Sequence, residues 1–397
     1  MWLRYSFRLD PTPGQRIALA RAFGCARVVF NDAVAARRAA YEAGAPLPTD
    51  AELSKALTEA KRTPDRAWLK DVSAVVLQQA LTDANSAYRN FFGSMSGTRK
   101  GRRVGSPRFR SRRDSRQSIR FTANARFQVL GNGRLRLPKI GDVPVRWSRV
   151  LPSAPSSVTV TLDSIGRYHA SFVVDVADQM LPATKCEVGI DLGLTHFAVT
   201  SNGSKIANPR IGRKAAARLR RAQKGLARRQ KGSANRAKSV SKVAKCHARV
   251  RDTRRNWLHQ LSTAMIRENQ AVYVEDLAVS GLVRTKLARS VHDAGWSMFV
   301  NMLEYKARRH GRVFGKVSRW FPSTRTCSAC GEVGDTKPLW VREWTCSCGA
   351  IHDRDVNAAI NILAAGRADS STPVEPASVG ASVPHSAVKQ EPAESAA

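Results

Sequence analysis

CSCGAIHDRDVNAAINIL, residues 346–363, sets a Cys-x-Cys pair four residues ahead of the first of two aspartates, Asp353 and Asp355, and an apolar, alanine-rich run follows at once. The surrounding chain is strongly basic: 66 Lys and Arg against 31 Asp and Glu leave a net charge of +35 in 397 residues. Why such a chain places a cysteine knot directly beside a pair of acids is answered by motifs elsewhere in the sequence.

The partner of the cysteine pair lies upstream. Cys327-x-x-Cys330 and Cys346-x-Cys348 offer four thiols from two tight turns, and the intervening 15 residues, with Trp340 and Trp344, are expected to form a small hairpin. Two such turns aim four soft ligands at one point, which is what the tetrahedral site of a zinc ribbon requires. The second pair is one residue tighter than the usual spacing, and four unrelated buried cysteines are the alternative. A closed four-thiolate site leaves no position for water, so the expected single Zn²⁺ is structural. Seven cysteines are an odd number, and Cys25, Cys186 and Cys246 read as ordinary reduced thiols.

The length suits two or three domains, and 43% hydrophobic residues support real cores. The charge argues for a polyanionic partner. No run of about 18 apolar residues exists, and the N-terminal MWLRYSFRLDPTPGQ lacks the apolar core of a signal peptide. The expectation is a soluble intracellular protein with no membrane partner.

After a short N-terminal strand, PTPGQ opens a helix with an apolar stripe at Ile17, Leu19, Ala20 and Phe23, and helices dominate to about Phe92. A strong one covers 72–92, with Val75, Val76, Gln79, Ala80, Asp83, Ala87 and Phe91 marking how polar faces interrupt its stripe. GSMSGTRKGRRVGSPRFRSRRDSRQS, from Gly93, reads as a basic loop. Residues 119–176 alternate in short segments with Gly and Asn turns, the pattern of a small antiparallel barrel or sandwich. CEVGIDLGLTHFAVTSNG, residues 186–203, reads as two strands joined tightly through Gly193. Residues 210–255 hold 18 Lys or Arg against one acid, Asp252, and read as a long basic helical hairpin broken near Gly232 and Ser233. AVYVEDL is a buried strand, 291–311 an amphipathic helix capped by glycine, RVFGKVS a strand, and the final residues a disordered tail.

Three acids stand out by context. Asp191 ends the strand VGID, Glu275 ends VYVE, and Asp355 opens the helix after the knot. Strand ends and helix starts let distant segments of an α/β sheet converge side chains on one point. Carboxylates converging there hold hard cations, which activate water and stabilise the leaving oxygen of a phosphodiester. Each acid also has a plainer reading. Asp353 or Asp355 caps the helix VNAAINIL, Asp276 competes with Glu275 because neighbouring strand residues face opposite sides, and Asp191 serves a turn before Gly193.

Taken in order, GIDLG, YVEDL, FPSTRTCSACG, WTCSCG and HDRDVNAAINI resemble the TnpB family of transposon-encoded RNA-guided DNA nucleases, relatives of the type V CRISPR effectors. The resemblance extends from RLDPTPGQ and FFGSMSGTRKGRRVGSPRFR to AAINIL. It implies a multidomain α+β protein with a RuvC-like, RNase H-type nuclease domain at 181–320 and 350–367, and a zinc ribbon at 321–349 inserted between a strand and the last helix. The knot then folds the inserted loop back so that the third carboxylate returns to the sheet, which accounts for knot and acids lying together. The resemblance further implies a wedge-like β-barrel at 1–10 and 115–180, a helical recognition lobe at 11–114 and a disordered tail at 368–397.

By the same resemblance, Asp191, Glu275 and Asp355 are the catalytic residues and ligands of two Mg²⁺ ions. Asp353 becomes a cap or a support for the ligands, and Asp276 a bystander. The implied partners are a guide RNA from the same element and double-stranded target DNA, met in a prokaryotic cytoplasm. Arg108, Arg110, Arg112 and Arg113, with Phe109, suit phosphate contact and stacking at the barrel entrance; Arg220, Arg221, Arg228 and Arg229 suit backbone contacts from the basic hairpin. Solvated basic surface is the plainer reading of both groups. The competing functions are a DNA recombinase or transposase, which also uses three acids, and a guide-directed DNA-binding repressor, which is expected to have lost at least one of them.

Overall fold

The computed structural model describes residues 1–114, 116–338, 340–370 and 389–391. The chain divides into two compact units, one of residues 2–176 together with the described 389–391, the other running from Ala177 to Ser370. No helix among the described residues is long and apolar enough to cross a membrane.

In the first unit β1 (Trp2–Leu9) leads into α1 (Pro13–Glu42). The PTPGQ signal acts there as a capping box: the Gln15 N–H donates to Thr12 Oγ1, the Thr12 N–H donates to Gln15 Oε1, and Pro13 takes the first helical position. The buried stripe of α1 is Leu19, Phe23, Ala26, Phe30, Ala33, Val34 and Arg37. Ile17 and Ala20, expected in the stripe, are exposed, because the line of burial is set by the helix packed against α1. That helix is α3 (Ala74–Met95), which follows α2 (Asp50–Ala60) and buries Val76, Leu77, Ala80, Leu81, Ala84, Asn85 and Tyr88. Buried Arg37 is tied to Asn85 and Asp50 and lies over the Tyr88 ring.

The strands that follow are β2 (Gln117–Thr122), β3 (Gln128–Val129), β4 (Arg134–Leu137), β5 (Gly141–Arg146), β6 (Ser157–Leu162) and β7 (Tyr168–Asp175). They run in the order β2-β6-β7-β1-β5-β4-β3 with antiparallel neighbours throughout. Among the described residues β2 and β3 do not pair with each other, so the sheet is a half-barrel where a closed barrel was one expectation.

The second unit is built on β8 (Glu187–Asp191), β9 (His196–Thr200) and β10 (Lys205–Ala207), then the basic hairpin α4 (Ile211–Ala227) and α5 (Ala234–Glu268), then β11 (Ala271–Glu275). Short α6 (Val279–Leu282) and α7 (Ala288–Ala294), α8 (Trp296–Arg309) and β12 (Val313–Val317) follow. The sheet order is β10-β9-β8-β11-β12, with β8, β11 and β12 parallel. The expected single helix over 291–311 is interrupted at Gly295, whose φ of 74° is left-handed and separates α7 from α8.

The ribbon segment differs from expectation in its hairpin. Among the described residues the intervening segment forms no strand pairing with itself; β13 (Glu343–Thr345) pairs with β14 (Ile351–Asp353) across the Cys346–Cys348 turn, and a bridge from Thr326 to Val333 closes the Cys327–Cys330 turn. Each cysteine pair thus occupies the tip of its own turn. α9 (Arg354–Ser370) then lies across the sheet so closely that a Cβ on Gly189 would sit 2.2 Å from the Ala359 carbonyl oxygen, which is why β8 carries glycine there. Of the expected disordered tail, residues 368–370 belong to α9, and β15 (Lys389–Glu391) pairs in parallel with β1; the remaining tail lies outside the described residues.

Candidate functional site

Strand register brings two of the three acids together. β8 and β11 are parallel neighbours, with Ala271 opposite Glu187 and Val274 opposite Ile190, so the next step along both strands sets Glu275 beside Asp191 at the C-terminal edge. Residues at equal register on adjacent strands share a face. It is the face α9 covers, since Gly189 lies under Ala359 and Leu363 while Tyr273 lies under Gly366. Asp355 is one helical turn before Ala359 and therefore overhangs the same edge. Asp276, one residue past Glu275, takes the opposite face and pairs with Arg319.

The electrostatics agree with this convergence. Burial, the Asp355 charge and the Glu275 charge together raise the Asp191 pKa to about 7. Burial, then Asp276, also raises that of Glu275. Carboxylates whose ionisation is opposed in this way offer hard oxygen donors that fit divalent cations such as Mg²⁺, with Arg354 partly offsetting their charge.

Asp353 is occupied otherwise. Its Oδ1 accepts from the backbone N–H groups of Asp355 at 3.1 Å and Val356 at 3.0 Å, capping α9, while its Oδ2 meets Lys205 Nζ at 2.5 Å. The cap fixes the first turn of α9 and so the direction of Asp355. Arg342 reaches Asp355 at 3.4 Å.

The four cysteine sulfurs of 327, 330, 346 and 348 all lie within 4.8 Å of one another. The Cys348 backbone N–H and the Ser347 hydroxyl lower the Cys346 thiol to about 6. Against the lowering effect of the Glu332 backbone N–H, hydrogen bonds shared with Cys327 and Cys348 push Cys330 in the same knot up to about 12, and four soft donors at this spacing fit zinc. His352 Nε2 is 3.0 Å from Cys327 Sγ, and its ring packs on Trp344 with centroids 4.7 Å apart. Cys25, Cys186 and Cys246 form no disulfide.

Two functional asparagines escaped the sequence reading. Asn357 Nδ2 donates to the Thr326 carbonyl and its Oδ1 accepts from the Ser328 N–H; Asn361 Nδ2 donates to the carbonyls of Ser323 and Thr326. They stitch the first cysteine turn to α9. The signal was their i, i+4 spacing in VNAAIN, on the face that also carries buried Ala358 and Ile362.

The expected nucleic-acid residues divide. Arg108, Arg112 and Arg113 are exposed, whereas Arg110 lies over the Phe30 ring at 3.7 Å, reaches Asp83 at 3.4 Å and is held through its backbone by Asn31. Arg220, Arg221, Arg228 and Arg229 are all exposed, and α4 buries no residue. Beside α4 a groove of about 930 Å³ is lined by Arg210, Arg213, Arg220, Arg254 and Arg289, together with Leu194, Thr195 and Asp293, which pairs with Arg254.

These features define a multidomain α+β protein with a half-barrel sheet, carboxylates gathered at one edge of a second sheet and a four-cysteine knot. Residues 296–362 match the family model "Cas12f1-like, TNB domain", 171–286 the model "Probable transposase" of the OrfB type of IS605 elements, and 1–45 the associated "Helix-turn-helix domain", although here that segment is a strand and one long helix. A Streptomyces pristinaespiralis protein named "Putative RNA-guided DNA endonuclease" is 44% identical over 98% of this chain and 96% of its own length. InsQ of Escherichia coli (strain K12), named in the same words, is 31% identical over 92% of each chain. The fold is similar to that of a Cas12f1–sgRNA–target DNA complex, with a TM-score of 0.54 at 14% identity over 88% of this chain and 83% of that one. The chain belongs to the TnpB/IS605 transposase family.

Proposed function

We propose that this protein is the RNA-guided DNA endonuclease of a transposable element, directed by a guide RNA from the same element to double-stranded DNA beside a short motif. The observation that carries the reading is the convergence of Asp191, Glu275 and Asp355 on one sheet edge, with Asp191 raised to about 7 by burial and by the other two. The names of two relatives that span nearly the whole chain support it. All three acids are present, which speaks against a repressor descended from a nuclease.

In this reading residues 181–320 and 350–367 form a RuvC-like domain with residues 321–349 as its zinc ribbon, while 1–10 with 115–180 and 11–114 serve as wedge and recognition lobe. Asp191, Glu275 and Asp355 would hold two Mg²⁺ ions, whose chemistry is to lower the pKa of a water nucleophile and offset charge on the leaving oxygen. Burial and the neighbouring carboxylates oppose the ionisation of Asp191, and a bound cation would offset that cost. Asp353, tied to Lys205 and the α9 backbone, stays out of the ligand set and orients Asp355. The four cysteines would hold one structural Zn²⁺, and the arginine groove beside α4 would hold a phosphate backbone.

The test is cleavage by the protein coexpressed with its own transcript. With Mg²⁺, plasmids carrying a matched target behind a randomised flanking motif should be cut and scrambled targets left intact. Cutting that ignores the guide overturns RNA guidance, and joined strands in place of cut ends favour the recombinase.

A further inference from the structure

Trp320 is 87% exposed. Large aromatic side chains bury most of their surface in a folded protein, so a tryptophan held in water asks for a reason. Its place in the fold supplies one. Val317 is the residue paired with Glu275 across β11 and β12, so the segment 318–321 leaves the sheet at the edge where the carboxylates gather.

The segment is pinned on both sides of the indole. Arg319 pairs with Asp276, and the Asp276 N–H donates to the Val317 carbonyl at 2.9 Å. Phe321 packs against the core of Ala271, Tyr273, Val317 and Ile362. The Phe321 N–H donates to the Ser318 carbonyl and the Trp320 N–H to Ser318 Oγ, closing a tight turn. Just beyond, the Pro322 carbonyl accepts from Arg325, Thr326 and the Thr326 hydroxyl, and the Ser323 carbonyl from Asn361. These bonds hold the backbone of the turn, so Trp320 is carried outward from a fixed point of the fold and presented to solvent.

We propose that Trp320 is a stacking platform for one unpaired nucleobase of the DNA strand led to the carboxylates, a role that rests on the nuclease reading above. A base in a strand positioned for cleavage has left its duplex stack and offers an apolar face to an exposed aromatic ring. The choice of a nucleobase over an apolar protein partner follows from the setting. The indole belongs to the turn that leaves β12 directly after Val317, the partner of Glu275, in a unit whose exposed basic hairpin and arginine-lined groove suit a phosphate backbone.

Two measurements on the guide-loaded complex test it. In the Asp191→Ala background, target DNA with 2-aminopurine placed at successive positions near the cut should lose fluorescence at one or two positions. The loss should vanish in Trp320→Ala and persist in Trp320→Phe. In the cleaving protein, Trp320→Ala should raise KM for a single-stranded substrate by about 5- to 100-fold, the range that stacking of one base supplies, with Trp320→Phe recovering most of it and the melting temperature unmoved. An unchanged fluorescence profile in Trp320→Ala, cleavage within twofold of the parent, or loss of the signal in Trp340→Ala instead overturns the assignment. The fluorescence reading does not depend on cleavage, so a parent complex that binds but never cuts refutes the nuclease while still deciding the role of Trp320.

Discussion

Asn357 and Asn361, one helical turn apart on α9, donate to a single acceptor, the Thr326 carbonyl, at 2.8 and 2.7 Å. A carbonyl oxygen has two lone pairs, so either asparagine alone keeps it satisfied. Each single change to alanine should therefore cost about 1–2 kcal/mol, through the Ser328 N–H or the Ser323 carbonyl that it leaves behind, and the double change more than the sum, because only then does the Thr326 carbonyl lose both asparagine donors. Denaturant unfolding of the four proteins in the cycle measures this. Additive or sub-additive losses would show that the shared carbonyl is not what couples them.

Asp353 and Asp355 should separate cleanly. Loss of the Asp353 cap should cost roughly 0.5–2 kcal/mol and slow cleavage modestly, and Asp353→Asn or Asp353→Ser should restore most of it, because both can cap. Asp355→Ala, like Asp191→Ala and Glu275→Ala, should abolish cleavage and spare guide and target binding. Cleavage kinetics beside a filter-binding assay decide it; an active Asp355→Ala would remove that residue from the site.

The raised pKa of Asp191 gives a pH dependence of definite sign. An acid whose folded-state value lies above its unfolded value favours folding while protonated, so the metal-free protein should lose stability relative to Asp191→Asn as pH rises from about 4 to about 7. Cation binding has to displace that proton. Below pH 7 the apparent Mg²⁺ affinity should fall by up to about tenfold per pH unit for one proton released, and level off above it. Isothermal titration at several pH values reads both proton release and affinity.

The candidate site was legible in the sequence because its acids end strands or lie in the first turn of a helix, positions that hydrophobic pattern and motif both mark. Glu275 over Asp276 needed strand register, which no local pattern contains; with Val274 opposite Ile190, only Glu275 shares a face with Asp191. The α1 stripe was misplaced at Ile17 and Ala20 because burial there depends on α3, far along the chain. Gly295 breaks a helix whose apolar period runs straight through it, since periodicity does not register a left-handed φ. The hairpin of the ribbon was assigned to the wrong side of Cys346 because either side has strand-forming residues and only the turn geometry chooses.

Zinc should be found at one atom per chain, and Cys327→Ser or Cys348→Ser should lower stability and activity together, because binding at such a site is folding free energy. His352→Ala should retain the metal but lower the unfolding midpoint, as it removes the contact to Cys327 Sγ and the packing on Trp344. Elemental analysis and thermal melts with and without chelator measure both. A folded, active protein free of zinc would sink the ribbon as a metal site.

The basic surface should respond unevenly to charge removal, according to what each arginine already touches. Arg220, Arg221, Arg228 and Arg229 lie exposed at or just beyond α4, a helix that buries nothing, so changing all four to Gln should leave the melting temperature within a degree or two. If they contact phosphates, each should contribute about 0.9 to the slope of log affinity against log salt on duplex DNA and about 0.7 on a single strand. The fourfold variant should then flatten the slope by roughly three units and weaken binding most at low salt. Arg110 should behave in the opposite way. Its guanidinium already covers Phe30 and meets Asp83, so Arg110→Gln should destabilise the unit by about 1–2 kcal/mol and change the salt slope little. Salt titrations by fluorescence anisotropy, paired with melts, distinguish the two kinds of arginine. A fourfold variant with an unchanged slope would mean that the hairpin is a solvated face, and that the excess charge of the chain meets nucleic acid elsewhere.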